Sequence, residues 1–351
     1  MKKAFKIGTR TIQEGGRVFI IAEAGVNHNR RLDLALKLVD AAADAGADAV
    51  KFQTFRAEDV STESGEMASY QIKNTGQKKT QRQMLKDLEL PETFYPPIIN
   101  RCLKRKIMFL STPHGGKKAV ALLESFKIPA YKIGSGDLNN FLLLSKIAKL
   151  KKPVIIGSGM ATLNEVKNTV GFIKSFGNGK IVILHCTTYY PCPPEETNLS
   201  AMMTLIKQLD VPVGYSDHTL GHQAAIMAAA LGAAAYECHL TLDKSLPGPD
   251  HIASSTPAEL KEKIRLIRSV KTILGNPEKK PTKSEKASML ILARKSIVAA
   301  RNLKKGQILA YSDIEAKRPG DGLSPVHFKK LLGKKLKYDI NKDGQINLNH
   351  V

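Results

Sequence analysis

Eight short apolar runs rich in β-forming residues alternate with amphipathic stretches over most of this chain. The runs lie at 18–24, 49–55, 108–112, 130–135, 153–158, 181–187, 211–216 and 235–242. The amphipathic stretches between them include 32–45, 91–104, 142–150, 165–176, 199–208 and 257–274. Strands that alternate with helices are typical of right-handed βαβ crossovers and a parallel sheet. Eight such strands predict an α/β fold, a (β/α)8 TIM barrel, with a doubly wound open sheet as the alternative.

A stretch rich in Gly, Pro and Lys at 275–281 ends this alternation. A chain of 351 residues is long enough for two domains. We predict a barrel domain over 1–280, a linker over 281–293 and a small domain of short strands and turns over 294–351. Residues 55–89 form an excursion too long for an ordinary βα loop, so we interpret it as a lid or a substrate-binding insertion.

Composition narrows the class of protein. Hydrophobic residues make up 42% and charged residues 25%, which is typical of a soluble globular protein. No apolar run reaches the roughly 18 residues that a membrane helix needs, and the first residues lack the apolar core of a secretory signal. The four cysteines are scattered, which favours free thiols. We therefore expect a cytoplasmic protein without a membrane partner.

The chain is strongly basic, with 54 Lys and Arg against 32 Asp and Glu and a formal charge of +22. Such a bias is a hallmark of nucleic-acid binding, so a nucleic-acid-binding or surface-binding protein built on a barrel is one alternative function. The basic residues, however, are dispersed as Lys-Lys pairs without interleaved aromatic residues. We therefore interpret the basic residues as a solvated surface that attracts anionic substrates.

Polar side chains recur where the predicted strands end, which in a barrel is the face that carries active sites. They are Glu23, Lys51, Gln53, Ser111, Thr112, Lys132, Ser135, Ser158, His185, Thr187, Ser216, His218, Glu237 and His239. His218 and His239 end the seventh and eighth strands, so the two imidazoles can converge on one divalent metal with open positions. Asp217 and Glu237 are candidate further ligands or anchors. Two structural or phosphate-facing histidines are the alternative.

Lys51, Lys132 and two Gly-Ser-Gly turns, centred on Ser135 and Ser158, form a candidate anion cradle at neighbouring strand ends. Lysine, hydroxyl and backbone amide groups bind phosphate or carboxylate, so we predict a phosphorylated or dicarboxylic substrate. Glu23 ends an otherwise apolar strand, where an unpaired carboxylate is costly. It is a candidate acid/base group, or the partner of Lys51 in a structural salt bridge.

Five segments of the chain, taken together and in order, resemble the bacterial sialic acid synthase family. That family includes N-acetylneuraminate, legionaminate and pseudaminate synthases. The five segments are FIIAEAGVNH at 19–28, GADAVKFQTF at 46–55, YKIGSGDLN at 131–139, GYSDHT at 214–219 and LPGPDH at 246–251. The final residues, with KRPG at 317–320 and GL at 322–323, resemble the antifreeze-like (SAF) domain of that family, which is similar to type III antifreeze protein.

The resemblance implies a transferase that condenses phosphoenolpyruvate with an amino-sugar. The enol carbon attacks the open-chain aldehyde, water attacks C2, and phosphate leaves. The resemblance implies that His218 and His239 hold Mn²⁺ or another divalent metal, and that Glu23 handles protons. It assigns phosphoenolpyruvate to Lys51, Thr112, Lys132, Ser135, Ser158 and Ser216. It also implies that Asp137 binds sugar hydroxyls and that Arg318 of a partner subunit reaches the sugar's N-acetyl group, hence a homodimer.

The segments around the remaining substrate-binding candidates, Asn74, Thr188 and Tyr190, leave the acceptor open. Thr188 occupies a position where neuraminate synthases often carry asparagine, and 70–76 with 84–90 resemble legionaminate synthases, but Tyr189 replaces a glutamate common in that type. The resemblance therefore implies that the acceptor is 2,4-diacetamido-2,4,6-trideoxymannose or N-acetylmannosamine, and that the product is a nine-carbon 2-keto acid. A pseudaminate synthase, or another phosphoenolpyruvate-dependent enzyme such as a 3-deoxy-sugar-phosphate synthase, is the enzymatic alternative.

Overall fold

The computed structural model describes residues 4–76 and 79–351. The chain divides into two compact units, one ending at Gly275 and one beginning at Asn276. Within the described ranges no helix combines the length and the apolar character needed to cross a membrane. The predicted linker over 281–293 falls inside the second unit, and the exact domain boundaries stay a prediction.

The first unit is built around eight parallel strands. They are β3 (Phe19–Gly25), β4 (Ala49–Gln53), β5 (Met108–Thr112), β6 (Tyr131–Ile133), β7 (Val154–Gly157), β8 (Ile181–His185), β9 (Val213–Asp217) and β10 (Ala235–His239), preceded by the antiparallel pair β1 (Phe5–Ile7) and β2 (Arg10–Ile12). The strand order is β5-β4-β3-β10-β9-β8-β7-β6, and the end strands β5 and β6 lie against each other. The sheet is therefore a nearly closed barrel, as the sequence predicts.

Helices follow the strands on the outside of the barrel. They are α1 (Leu32–Ala45), α5 (Tyr95–Lys104), α6 (Gly116–Ser125), α7 (Phe141–Lys149), α8 (Leu163–Ser175), α9 (Leu199–Gln208), α10 (Gln223–Ala230) and α11 (Pro257–Leu274). The insertion at 55–89 contains α2 (Ala57–Val60), α3 (Ser69–Thr75) and α4 (Gln81–Leu88); its residues 77 and 78 lie outside the described part. Met67, Met84 and Leu88 of the insertion pack against Val26 and Phe55, which fixes it over the barrel.

The strand period of two separates two environments along each strand, since alternate side chains point to opposite faces. One set points outward and packs against the helices, as Tyr236 and Cys238 do. The other set points into the barrel. Near the strand starts this inner set is apolar, with Phe19, Ile21 and Ala49 in one cluster. Continuing the same alternation, Glu23 and Lys51 follow, so the barrel interior changes from apolar to charged towards the carboxyl ends.

The β1–β2 hairpin closes the opposite, amino-terminal end of the barrel. Its Ile7 and Ile12 are fully buried and belong to the same apolar cluster as the inner residues of the strands. Buried Asp48 accepts a hydrogen bond from the Ile20 amide at 2.9 Å and pairs with Arg10 and Arg268 at 3.0 and 2.8 Å. This end is thereby filled and cross-linked, so the open end at the strand carboxyl termini is left for chemistry.

The second unit has its own small core. Strands β11 (Ser296–Ala299) and β12 (Ile314–Lys317) pair antiparallel, preceded by a short helix, α12 (Leu290–Ala293). Its core residues are Ile297, Ala299, Leu303, Leu309, Leu331, Leu336, Ile340 and Ile346. Arg318 follows β12 directly and is exposed.

The element boundaries agree closely with those expected. Helices α1, α9 and α11 and strand β5 have the predicted bounds, whereas β6 and β10 are shorter than predicted. The predicted stretches did not include α6 and α10. The reason is clearest for α10, whose sequence QAAIMAAA is mostly alanine: it favours a helix by propensity but carries almost no polar–apolar period.

Candidate functional site

A cavity of about 300 Å³ opens at the carboxyl ends of the barrel strands. Strand ends supply its floor, the loop before α11 supplies Pro249 and Asp250, and the insertion supplies part of its wall. The predicted site residues that line it are Glu23, Lys51, Thr112, Lys132, Ser135, Thr188, Tyr190, Ser216, His218 and His239. Ten side chains predicted from scattered segments are therefore gathered in one cavity.

Lys51 is the centre of a buried ion-pair network. Register pairs Glu23 with Lys51 across β3 and β4, and Lys51 Nζ lies 2.6 Å from Glu23 Oε2. It also donates to Thr112 Oγ1 at 3.2 Å. Burial alone would lower the pKa of Lys51, but Glu23 and Glu237 raise it, so the ammonium is charged. The salt bridge that the sequence left as an alternative role for Glu23 is present, at the edge of the cavity.

Lys132 is held in the same way by Glu237. Its Nζ lies 3.2 Å from Glu237 Oε1, which also accepts a hydrogen bond from Ser216 Oγ at 3.3 Å. Burial would raise the pKa of Glu237, yet Lys132 and Lys51 lower it to about 2. Burial instead raises the pKa of Glu23, against the opposing effect of Lys51. The two carboxylates thus differ: Glu237 stays ionised, whereas Glu23 binds a proton more readily.

Hydroxyl groups and a glycine shape the region beside the lysines. Ser135 Oγ accepts a hydrogen bond from the Gly159 amide at 3.0 Å. A side chain at Gly159 would place its Cβ 2.1 Å from Thr188 Oγ1, so only glycine permits this close approach. Thr188 Oγ1 is buried and has no hydrogen-bond partner in the ranges that the structure describes. A buried polar atom of this kind is suited to a substrate contact.

His218 and His239 lie side by side, with ring centroids 5.6 Å apart. His218 Nδ1 is 2.6 Å from the Thr187 carbonyl oxygen, which only accepts, so Nδ1 carries the proton and Nε2 keeps its lone pair. His239 Nδ1 is buried without a hydrogen-bond partner among the described residues. Burial, with His239, lowers the pKa of His218 to about 4, and burial, with Lys51, lowers that of His239 to about 4. Both imidazoles are neutral at pH 7.

These properties fit a divalent metal held by two neutral imidazoles, with the remaining positions left to substrate and water. Over residues 4–76 and 79–351, no group of three or more His, Cys, Asp or Glu side chains forms a closed metal site. Asp217, a candidate ligand, points away from the cavity and accepts hydrogen bonds from Tyr236 Oη at 2.6 Å and the Thr219 amide at 2.9 Å. It therefore anchors the chain next to His218.

In contrast to the charged floor, part of the cavity wall is apolar and aromatic. The Tyr190 ring lies tilted against the His218 ring, with centroids 4.1 Å apart, and against Tyr70 of the insertion, with centroids 5.2 Å apart. Met84, Leu85 and Leu88 of α4 also line the cavity. One site thus combines an ionic floor with a surface suited to methyl and ring carbons.

Three predicted site residues of the first unit do not line the cavity, and a fourth belongs to the second unit. Asp137 pairs with His114 and Asn140, and Ser158 donates its hydroxyl hydrogen to the Leu184 carbonyl at 3.0 Å. Asn74 donates to the Pro249 carbonyl at 2.7 Å, next to the cavity residue Asp250. Arg318 lies in the second unit, where its side chain is exposed. Their roles in binding or catalysis stay predictions.

Several cavity residues were not among the predicted site set. They include Tyr70, Met84, Leu85, Leu88, His114 and Asp250, together with Gln53 and Glu237, which the sequence marks only as polar residues at strand ends or as a candidate ligand or anchor. Glu237, predicted as a further ligand or anchor, lies two residues before His239 on the same face of β10 and pairs with Lys132 and Lys51. Asp250 follows a Pro-Gly-Pro turn that offers no periodicity. Burial and Glu23 raise its pKa to about 7.

Comparison with known proteins identifies the family of this chain. Residues 38–279 match the NeuB family, and residues 294–351 match the SAF domain. The chain is 43% identical to the N,N'-diacetyllegionaminic acid synthase of Campylobacter jejuni, over 91% of this chain and 95% of that protein. It is 41% identical to the enzyme of the same name from Legionella pneumophila, over 95% and 94%.

Among solved structures, the N-acetylneuraminic acid synthetase of Leptospira borgpetersenii, crystallised with citrate, superposes with a TM-score of 0.72 at 32% identity. The match covers 82% of this chain and 96% of that one. Sequence, fold and the ionic cavity all lead to the same assignment: this chain belongs to the NeuB family of sialic acid synthases and carries a SAF domain after its barrel.

Proposed function

We propose that this enzyme condenses phosphoenolpyruvate with an N-acetylated mannose-type amino-sugar and releases phosphate, giving a nine-carbon 2-keto sugar acid. The observation that carries the proposal is the pair of buried lysines, both ion-paired, beside several hydroxyl groups at the open end of the barrel. Lys51 and Lys132 are each less than 5% exposed, yet both line the cavity. Buried cations at the carboxyl face of a barrel suit a small, highly anionic substrate.

Phosphoenolpyruvate would occupy the floor. Lys51 and Lys132 contribute charge, and Thr112 and Ser135 contribute hydroxyl donors, for the phosphate and carboxylate of one small molecule. Ser216 lines the same floor, where its hydroxyl donates a hydrogen bond to Glu237. Ser158 lies just behind, with its hydroxyl directed to a backbone carbonyl. Preorganised donors of this kind stabilise charge on the phosphate as the C–O bond breaks, because they need no reorganisation during the reaction.

Glu23 is the candidate acid/base group of the reaction. Its raised pKa and its place beside Lys51 allow it to exchange a proton with the acceptor oxygen or with the water that attacks C2. Glu237, held ionised by two lysines, serves a different purpose and keeps those lysines in place. Two carboxylates whose environments push their pKa values apart commonly divide catalytic roles in this way.

His218 and His239 are the residues that would hold a divalent metal, and we propose Mn²⁺. Bound there, the metal would supply Lewis-acid polarisation of the acceptor aldehyde. The protein orients the ligands, because the Thr187 carbonyl fixes the His218 ring through Nδ1 and leaves Nε2 for the metal. Tyr190, packed on both rings, restricts their motion further.

The apolar wall favours 2,4-diacetamido-2,4,6-trideoxymannose over N-acetylmannosamine as the acceptor. The trideoxy sugar carries a methyl group at C6 and a second acetyl methyl, and Met84, Leu85 and Leu88 offer them apolar contact. Each methyl removed from water contributes about 0.8 kcal/mol. The 41–43% identity with two proteins named N,N'-diacetyllegionaminic acid synthase supports the same choice.

We further propose a cytoplasmic homodimer in which Arg318 of one subunit completes the site of the other. Arg318 is exposed and belongs to the second unit, so its side chain is free to reach a ligand. A guanidinium pairs well with the carbonyl oxygen of an N-acetyl group. This role gives the SAF domain a part in catalysis, and no nucleic acid is needed to account for its basic residues.

Phosphate release tests the proposed function directly. With Mn²⁺ and phosphoenolpyruvate, the enzyme should release phosphate in the presence of either sugar, with a higher kcat/KM for the trideoxy sugar by about tenfold, from two buried methyl groups. Leu85→Gln should narrow that ratio, whereas Leu103→Gln, on an exposed helix position, should not. No release with either sugar would overturn the proposal; an equal kcat/KM for both would overturn only the acceptor assignment.

The metal assignment is tested by binding of Mn²⁺ alone. His218→Ala and His239→Ala should each weaken Mn²⁺ affinity at least about tenfold, measured as the free Mn²⁺ signal in electron paramagnetic resonance, because each removes one of two protein ligands. His222→Ala, outside the cavity, is the matched control. Unchanged affinity in both site variants would remove the metal role from these histidines.

If Arg318 binds the amino-sugar across the dimer, its removal should impair binding of the sugar alone, and mixed dimers should regain activity. Arg318→Ala should raise the KM for the amino-sugar by about ten- to a hundredfold, the loss of a charge-assisted hydrogen bond, with little change for phosphoenolpyruvate. Mixed dimers of Arg318→Ala with Lys51→Met should regain activity, because each contains one complete site if the arginine crosses between subunits. Equal effects on both substrates, or no regain in purified mixed dimers, would contradict this role.

A further inference from the structure

A histidine–aspartate pair lies where β5 and β6 end. His114 Nδ1 is 3.4 Å from Asp137 Oδ2, and Asp137 Oδ1 accepts a hydrogen bond from Asn140 Nδ2 at 2.9 Å. Although burial raises the pKa of Asp137, these two hydrogen bonds lower it, so the carboxylate is ionised at neutral pH. Both of its oxygens already have partners within the protein.

The imidazole, and not the carboxylate, is the group that this pair presents to the cavity. His114 lines the cavity and Asp137 does not. The ring packs directly over Gly134, where a Cβ would lie 2.7 Å from His114 Cε1, so glycine at 134 allows the ring to approach. Gly134 on one side and Asp137 at Nδ1 therefore fix the ring in one orientation.

The protonation of the ring follows from its partner. An ionised carboxylate only accepts hydrogen bonds, so the 3.4 Å contact places a proton on Nδ1 of His114. Nε2 is then left for a ligand: it accepts from a hydroxyl or amide when the ring is neutral and donates when the ring is protonated. A carboxylate that fixes a histidine by its Nδ1–H is a familiar way of setting ring orientation.

The position of the pair indicates which substrate it meets. His114 lies two residues beyond Thr112, and Asp137 lies two residues beyond Ser135, both of them members of the phosphoenolpyruvate floor. The pair is thus the next layer outward from that floor. The acceptor sugar must lie in this layer, since its aldehyde is attacked by the enol carbon of the molecule beneath it.

We propose that His114 contacts a polar substituent of the acceptor sugar and that Asp137 is a positioning residue that acts through His114. This inference rests on the proposed function and goes beyond it, because it moves the sugar contact from the carboxylate to an imidazole. It also explains why Asp137 stands outside the cavity with both oxygens engaged.

A double-mutant cycle tests this arrangement by steady-state kinetics. His114→Phe and Asp137→Asn should each raise the KM for the amino-sugar about three- to tenfold, the net value of one hydrogen bond, and change the KM for phosphoenolpyruvate less than about twofold. In the His114→Phe background, Asp137→Asn should add less than about twofold, because residues that act as a unit are not additive. His327→Phe, in the second unit, is the control.

The contrary outcomes are distinct. Multiplicative losses in the double variant, or a parallel rise in the KM for phosphoenolpyruvate, would overturn the inference. If Asp137→Asn does not fold by circular dichroism, His114→Gln decides the matter: its amide should give a lower sugar KM than His114→Phe, and equal values would overturn the inference. Absence of turnover by the unmodified protein overturns the proposed function and this inference with it, whereas an active protein with multiplicative losses overturns this inference alone.

Discussion

Four buried charges determine how this site is built. Lys51 lies between Glu23 and Glu237, at 2.6 and 3.9 Å, and Lys132 lies 3.2 Å from Glu237. None of the four is tolerable alone in the barrel interior, because an unpaired buried charge costs several kcal/mol. The network is not symmetrical, however: burial raises the pKa of Glu23, while the lysines lower that of Glu237. Proton uptake by Glu23 leaves an excess of positive charge, which suits a substrate carrying phosphate and carboxylate.

The barrel accommodates this network because its strands place their charged inner residues at one end and their apolar inner residues at the other. The inner residues of β3 run from Phe19 through Ile21 to Glu23, and β10 runs from Ala235 to Glu237 and His239. Apolar packing and the β1–β2 hairpin therefore stabilise the closed end, while Glu23, Lys51 and Glu237 lie towards the open end. The insertion then covers part of that end and adds the apolar wall, so the site offers an ionic surface to one substrate and a partly apolar one to the other.

Most of the fold was predicted from the alternation of apolar and amphipathic segments. About half of the site was predicted from the recurrence of polar residues at strand ends. The strands β3 to β10 were expected because short apolar runs alternate with helical ones, and Lys51, Lys132, His218 and His239 because polar residues recur where those runs stop. Asp250, which follows a Pro-Gly-Pro turn, and the apolar residues of α4 were not predicted as site residues. Only the folded insertion and loop bring Asp250 and Met84 to the cavity. His114 was missed for a related reason: its importance depends on Asp137, 23 residues away.

The affinity of the enzyme for phosphoenolpyruvate alone tests the central claim, that buried lysines held by carboxylates form the anion site. Isothermal titration calorimetry at pH 7 should show Lys132→Met binding phosphoenolpyruvate at least about tenfold more weakly, since a charge-assisted contact is worth about 1.5–3 kcal/mol. Lys37→Met, on the outer surface of α1, should bind it like the unmodified protein. Equal affinity in the Lys132 variant would contradict the account, because the ion-pair network would then be structural and the anion would bind elsewhere.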